Sequence, residues 1–112
     1  MLFTKEHIEQ VLSGEKTQTR RLWKTQQVKV GNSYRAVNDL FTKRENAPAY
    51  IVVTDVYQEK LGDITENDAD SEGGYTVQEF KELWIDMHGE WEDDEDVWVT
   101  EFEGYKDDPR IQ

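Results

Sequence analysis

Ala49-Tyr50-Ile51-Val52-Val53-Thr54-Asp55-Val56-Tyr57 is the stretch around which the rest of the chain arranges itself. β-Branched and aromatic residues fill it, and these pack well on a pleated surface. Its apolar run is nearly continuous, which predicts a central, well-buried strand. Upstream, Val28-Lys29-Val30 and Ser33-Tyr34-Arg35-Ala36-Val37 read as two short strands around a Gly31-Asn32 turn. Thr17, Thr19 and Leu22-Trp23 suit another strand, and Val97-Trp98-Val99-Thr100-Glu101-Phe102 a final one. Residues 38–47 form a polar connection.

Three helices are expected around these strands. Thr4 caps the first, which runs to Val11 or Leu12 and carries Ile8, Val11 and Leu12 on one stripe. Gly14 is placed to end it, because glycine accepts the left-handed conformation at a helix C-terminus. Thr65 begins a second, short helix that ends near Gly73-Gly74. Thr76 and Glu79 make a capping box for a third, closed by Gly89, with Phe80, Leu83, Trp84 and Met87 on one face. Phe80 and Trp84 belong to the core. The fold class is α+β: a small β-barrel of about five to six short strands decorated by three helices. Closing the sheet also protects its edges. The domain covers residues 1–105, and residues 106–112 form a loose tail.

The 112 residues suffice for one core. No apolar run approaches the ~20 residues of a bilayer span. The first residues lack a signal-peptide layout, so a soluble cytoplasmic protein is the expectation. A monomer is expected, with no membrane partner. Cys is absent, which removes disulfides, thiolate chemistry and Cys-ligated zinc. His7 and His88 stand far apart, and a metal site would need them to converge with carboxylates. The Glu92-Asp93-Asp94-Glu95-Asp96 run lacks the glycine and alternation of a calcium loop. No metal and no cofactor are therefore expected.

Charge is distributed unevenly. The formal net charge is -12, yet residues 1–44 hold nine Lys/Arg against four Asp/Glu. Residues 45–112 hold four against 21. The positive charge concentrates in Gly14-Glu15-Lys16-Thr17-Gln18-Thr19-Arg20-Arg21, directly after a helix end. A stretch that combines three cations with two hydroxyls suits a negative or hydrogen-bond-rich ligand. The overall acidity disfavours long RNA, since polyanion affinity comes largely from phosphate neutralisation. A single nucleoside is indifferent to it.

These residues resemble the ASCH family, small domains related in fold to PUA RNA-binding domains. The resemblance rests on Leu12-Ser13-Gly14-Glu15-Lys16-Thr17-Gln18-Thr19-Arg20-Arg21, Val30-Gly31-Asn32 and Leu61-Gly62-Asp63-Ile64-Thr65. Asp68-Ala69-Asp70-Ser71-Glu72-Gly73, Glu79-Phe80-Lys81-Glu82-Leu83-Trp84 and Val97-Trp98-Val99 before Phe102 complete it. It implies a PUA-like β-barrel with a cleft beside it, and RNA or a nucleoside as the ligand. One branch of small ASCH proteins comprises amidohydrolases that remove the acetyl group from N4-acetylcytidine. Similarity to that branch implies Lys16, Thr19 and Glu72 as catalytic residues. The Glu72 match requires a one-residue gap near Gly73-Gly74. The acidic stretch 90–96 and the paired Arg20-Arg21 depart from the branch. Arg20, Arg21, Thr17 and Trp23 are the candidates for holding substrate or RNA.

Amide hydrolysis needs a nucleophile, a base and a stabiliser for the developing oxyanion. Thr19 is the candidate nucleophile. Lys16 can serve as base only when neutral, so it needs a depressed pKa. Desolvation and Arg21 push it that way, and Glu72 pushes it back. Along a regular strand Lys16 and Thr19 would face opposite sides. The assignment therefore demands a turn or bulge within residues 16–19. The same residues have plainer readings: Thr17 and Thr19 as strand residues, Arg21 as an acidic residue's partner, Trp23 as core or as a base-stacking surface. Three functions stand side by side: an RNA- or nucleoside-binding domain, an amidohydrolase, and an acidic protein-interaction module using residues 90–96.

Overall fold

The computed structural model describes residues 1–43 and 46–111. Its elements are α1 (Lys5–Ser13), β1 (Gln18–Arg21), β2 (Ser33–Ala36), β3 (Ala49–Lys60), α2 (Glu66–Gly73), α3 (Val77–His88) and β4 (Asp96–Tyr105). Short 3-10 turns cover Leu61–Asp63 and Pro109–Ile111. The fold is α+β, as expected. Arg44 and Glu45, within the polar connection read over 38–47, lie outside the described residues, as does Gln112 of the tail.

The helix boundaries follow from capping chemistry. Thr4 accepts a bond from the His7 amide, and Gly14 ends α1 at φ 84°. Thr65 with Asp68 and Thr76 with Glu79 form full capping boxes, which satisfy the orphan amides of α2 and α3. Glu66 adds a link by accepting from the Val77 amide at 3.0 Å, which joins the start of α2 to that of α3.

The strands pair antiparallel in the order β1-β4-β3-β2. The sheet curls into a half-barrel. β3 is central, and its register on β4 shifts between Val53 and Asp55. Such a bulge bends a long strand and increases its twist. The N-terminus adds a parallel bridge from Leu2 to Val37.

The expected five to six strands become four named strands among the described residues. The strand read at Val28-Lys29-Val30 is absent, because side chains occupy its backbone groups. The Lys29 amide donates to the Tyr34 hydroxyl at 2.9 Å, and Gln26 Nε2 donates to the Val28 carbonyl at 2.7 Å. The Gly31-Asn32 turn does form, held by bonds of 2.8 and 3.0 Å with Val53. β1 ends at Arg21, so Leu22 and Trp23 lie beyond it. Past β4, Asp108 is buried, and Ser33 Oγ donates to it at 3.4 Å. Among the described residues no helix is long and apolar enough to cross a membrane.

Two apolar clusters form the core. Phe3, Ile8, Val11, Ala36, Ala49, Ile51 and Phe102 pack where α1 meets the sheet. Leu61, Ile64, Ala69, Phe80, Trp84, Val97 and Val99 pack where α2 and α3 meet it. α1 presses so closely on β4 that a Cβ on Gly104 would lie 2.2 Å from the Val11 carbonyl oxygen. Backbone cannot yield as a flexible side chain does. Gly104→Ala is therefore expected to destabilise the protein by roughly 1–3 kcal/mol, read as a lower urea midpoint.

Candidate functional site

The residues after Gly14 are tied to three elements at once. The Lys16 amide donates to the Gln10 carbonyl at 3.1 Å, and the Thr17 amide to the Ser71 carbonyl at 2.8 Å. The Phe102 amide donates to the Thr17 carbonyl at 2.9 Å. Regular strand geometry begins only at Gln18. This irregular approach lets Lys16 and Thr19 line the same cleft, which strand alternation alone forbids.

That cleft has a volume of about 630 Å³, within the usual range for small-molecule sites. It lies between the two apolar clusters. Phe3 and the first residues of α1 form one side. Tyr75, Phe80, Leu83 and Trp84 form the other. Lys16, Thr19, Arg20, Arg21 and Glu72 line it between them.

A buried ionic network underlies the cleft. Lys16 is only 2% exposed. Its Nζ donates to the Glu72 carbonyl at 2.7 Å, the Gln18 carbonyl at 3.0 Å and Glu72 Oε1 at 3.2 Å. All three ammonium protons are thus engaged. Arg20 donates to Glu72 Oε2 at 3.0 Å and to Gln18 Oε1, and pairs with Glu59 and with Asp68 Oδ2 at 3.3 Å. Gln18 Nε2 donates to Asp68 Oδ1 at 3.3 Å. Burial pushes the Lys16 pKa below the ordinary lysine range, Glu72 opposes this, and Arg21 and Arg20 add to it.

The two arginines part company here. Arg20 has its guanidinium enclosed by protein and shared among three carboxylates. Its charge is neutralised internally. Arg21 donates through Nε to Thr19 Oγ1 at 3.1 Å and through its terminal nitrogen to the Leu2 carbonyl at 2.7 Å. It lies over the Phe3 ring at 5.0 Å. Among the described residues Arg21 makes no ion pair, and Glu72 acts on its charge only at longer range. The acidic partner considered for Arg21 belongs to Arg20 instead. The cleft is accordingly less basic than its cation count suggests.

The structure does not gather every candidate. Thr17 is exposed and Trp23 half-buried, and neither lines the cleft. It adds three residues whose place the sequence reading missed. His7 and Tyr75 line the cleft with Nε2 and the hydroxyl 2.8 Å apart. His88 lines it too, stacked 4.1 Å from Trp84. Burial, then Lys16, then Arg21, push the His7 pKa down to about 4. The available signal was the position of His7 within the first turns of a helix that ends at the cation-rich stretch.

No protein-family model matches the chain, and no curated protein matches it. Solved structures do. An ASCH domain from Lactobacillus crispatus superposes with a TM-score of 0.69 at 19% identity, covering 92% of this chain and 76% of that one. A protein from Enterococcus faecalis assigned to family DUF984 gives 0.61 at 20% identity, covering 90% and 72%. A tyrosine-to-phenylalanine variant of an ASCH protein from Zymomonas mobilis gives 0.61 at 12%, covering 92% and 66%. The chain has the fold of ASCH domains.

Two expectations follow from the network. Glu72→Ala leaves the buried Lys16 without a carboxylate and removes one of the three that Arg20 shares, and its cost is expected to reach about 3–5 kcal/mol. Adding Lys16→Met should recover part of that loss in urea unfolding, because one uncompensated charge is then removed. The second concerns pH. His7 has a folded value of about 4 against an ordinary 6.5, so the unfolded chain binds its proton first. Stability contributed by neutral His7 is present above pH 6.5 and is lost as pH falls toward 4. Discounted for solvent screening of this half-buried ring, the contribution is on the order of 1–2 kcal/mol. Subtracting the pH–stability curve of His7→Gln isolates it from the carboxylates; identical curves would refute it.

Proposed function

We propose that the cleft binds a nucleoside, free or as an unpaired unit of RNA. The observation that carries this reading is the pairing of aromatic walls with a cleft base whose charges are mostly internal. Phe3, Tyr75, Phe80 and Trp84 line the cleft, and contact with aromatic side chains is the usual way to hold an unpaired base. Arg21 and Thr19 supply polar contacts beside them. Lys16 and Arg20 are already paired with carboxylates, so little positive charge is left for a phosphate chain. A net charge of -12 disfavours long RNA further. The ASCH fold agrees with a ligand of this class.

A second reading, deacetylation of N4-acetylcytidine, is favoured by one specific observation. Lys16, Thr19 and Glu72 line a single cleft. Thr19 Oγ1 accepts a bond from Arg21 Nε, which stabilises negative charge on that oxygen. In this reading Thr19 Oγ attacks the acetyl carbon and its proton passes to Lys16. Lys16 becomes neutral only by handing one of its own protons to Glu72, since all three are engaged. The C–N4 bond breaks as the leaving nitrogen takes a proton back, and water then hydrolyses the acetyl-threonine ester to acetate.

Calorimetric titration with cytidine, N4-acetylcytidine and a short single-stranded RNA tests the first reading. Nucleoside binding with weak salt dependence is expected, and Arg21→Ala should weaken it about tenfold. Absence of binding by all three ligands sinks it. Acetate release and the change in ultraviolet absorption of N4-acetylcytidine test the second. Turnover is expected to vanish in Thr19→Ala, and turnover that persists there rejects Thr19 as the nucleophile.

A further inference from the structure

Most polar groups at the base of the cleft are consumed by one another. Lys16, Arg20 and Glu72 form the buried network, and Arg21 donates to Thr19. His7 and Tyr75 are different in kind. They face the same cleft as a hydrogen-bonded pair of uncharged side chains, with Nε2 and the hydroxyl oxygen 2.8 Å apart. Their rings meet edge to face at 6.1 Å.

The pair is held firmly. Gly73 lies so close to the Tyr75 ring that a Cβ there would sit 2.8 Å from Tyr75 Cε2 and 2.8 Å from Gln10 Oε1. Gln10 Nε2 donates to the Gly73 carbonyl at 3.0 Å, which clips α1 to the turn bearing Tyr75. The hydrogen bond between them holds the two rings together, which lowers the entropic cost of a polar contact made here.

We propose that His7 and Tyr75 are a specificity-determining pair that hydrogen-bonds the polar edge of a nucleobase, as donor or acceptor according to the histidine tautomer. This rests on the nucleoside reading above. When Tyr75 donates to Nε2, its oxygen keeps a lone pair for a ligand amino group. When Nε2–H donates to Tyr75, the phenolic hydrogen turns to a ligand carbonyl. Only a neutral imidazole supports both arrangements. Burial and the nearby cations Lys16 and Arg21 keep His7 in that state near neutral pH. A base whose edge mixes amino and carbonyl groups meets its complement in either tautomer. A saturated ring without polar atoms leaves the pair's polar atoms desolvated and unmatched.

The test is calorimetric titration of wild type, His7→Phe and Tyr75→Phe with cytidine and with uridine. Each variant is expected to bind at least one of these about tenfold more weakly, and the ratio of the two affinities should change. Wild-type affinities and ratio in both folded variants would overturn the pair's role while leaving the nucleoside reading intact. Failure of wild type to bind either nucleoside would overturn that reading and the pair's role with it. Should the variants not fold, nitrogen-15 spectra of wild-type histidines decide the matter. Saturating nucleoside is expected to shift both ring nitrogens of His7, and unmoved resonances would refute the assignment.

Discussion

Glu72 is 3% exposed, and its carboxylate is shared by Lys16 and Arg20. Each ion taken out of water costs several kcal/mol, and the cost is met only when every charged group finds a geometric partner. Here the partners come from separate parts of the chain. Lys16 precedes β1, Arg20 lies on β1, Glu72 ends α2, and Glu59 stands near the end of β3. Satisfying one carboxylate therefore fixes the relative placement of the sheet, α2 and the irregular entry to β1. That entry in turn brings Lys16 and Thr19 to one cleft.

The cleft exists because the core is divided. α1 covers one end of the curled sheet and α2 with α3 the other, each over its own apolar cluster. Phe3 from the first cluster and Phe80 with Trp84 from the second face each other across the gap. The walls of the cleft are thus made in part by core residues.

Much of the fold was legible because it depends on neighbours in the chain. Thr4, Thr65 and Thr76 cap helices through amides three residues away, and Gly14, Gly74 and Gly89 end them in the left-handed conformation. Ala49 to Tyr57 was legible as a strand from its β-branched and aromatic residues, whereas its continuation to Lys60 comes from pairing with β4. Where reading failed, a distant or side-chain partner had intervened. Val28 to Val30 has strand composition, yet Tyr34 and Gln26 side chains hold its backbone. Trp23 and Thr17 look suited to a ligand by type, but their positions fall away from the gap between the clusters.

Adjacent residues of a strand point to opposite faces, so Arg20 and Arg21 had to meet different surroundings. The sequence alone determined that much, along with the helices, the central strand and the concentration of cations after Gly14. It had no means of saying which arginine would be enclosed by carboxylates and which would be left without an ion pair. That choice belonged to α2, which brings Asp68 and Glu72 to Arg20 from about fifty residues away. The meeting of His7 with Tyr75 was decided in the same way. Capping and strand preference act over a few residues, whereas ion pairing in a buried site depends on the packing of the whole domain.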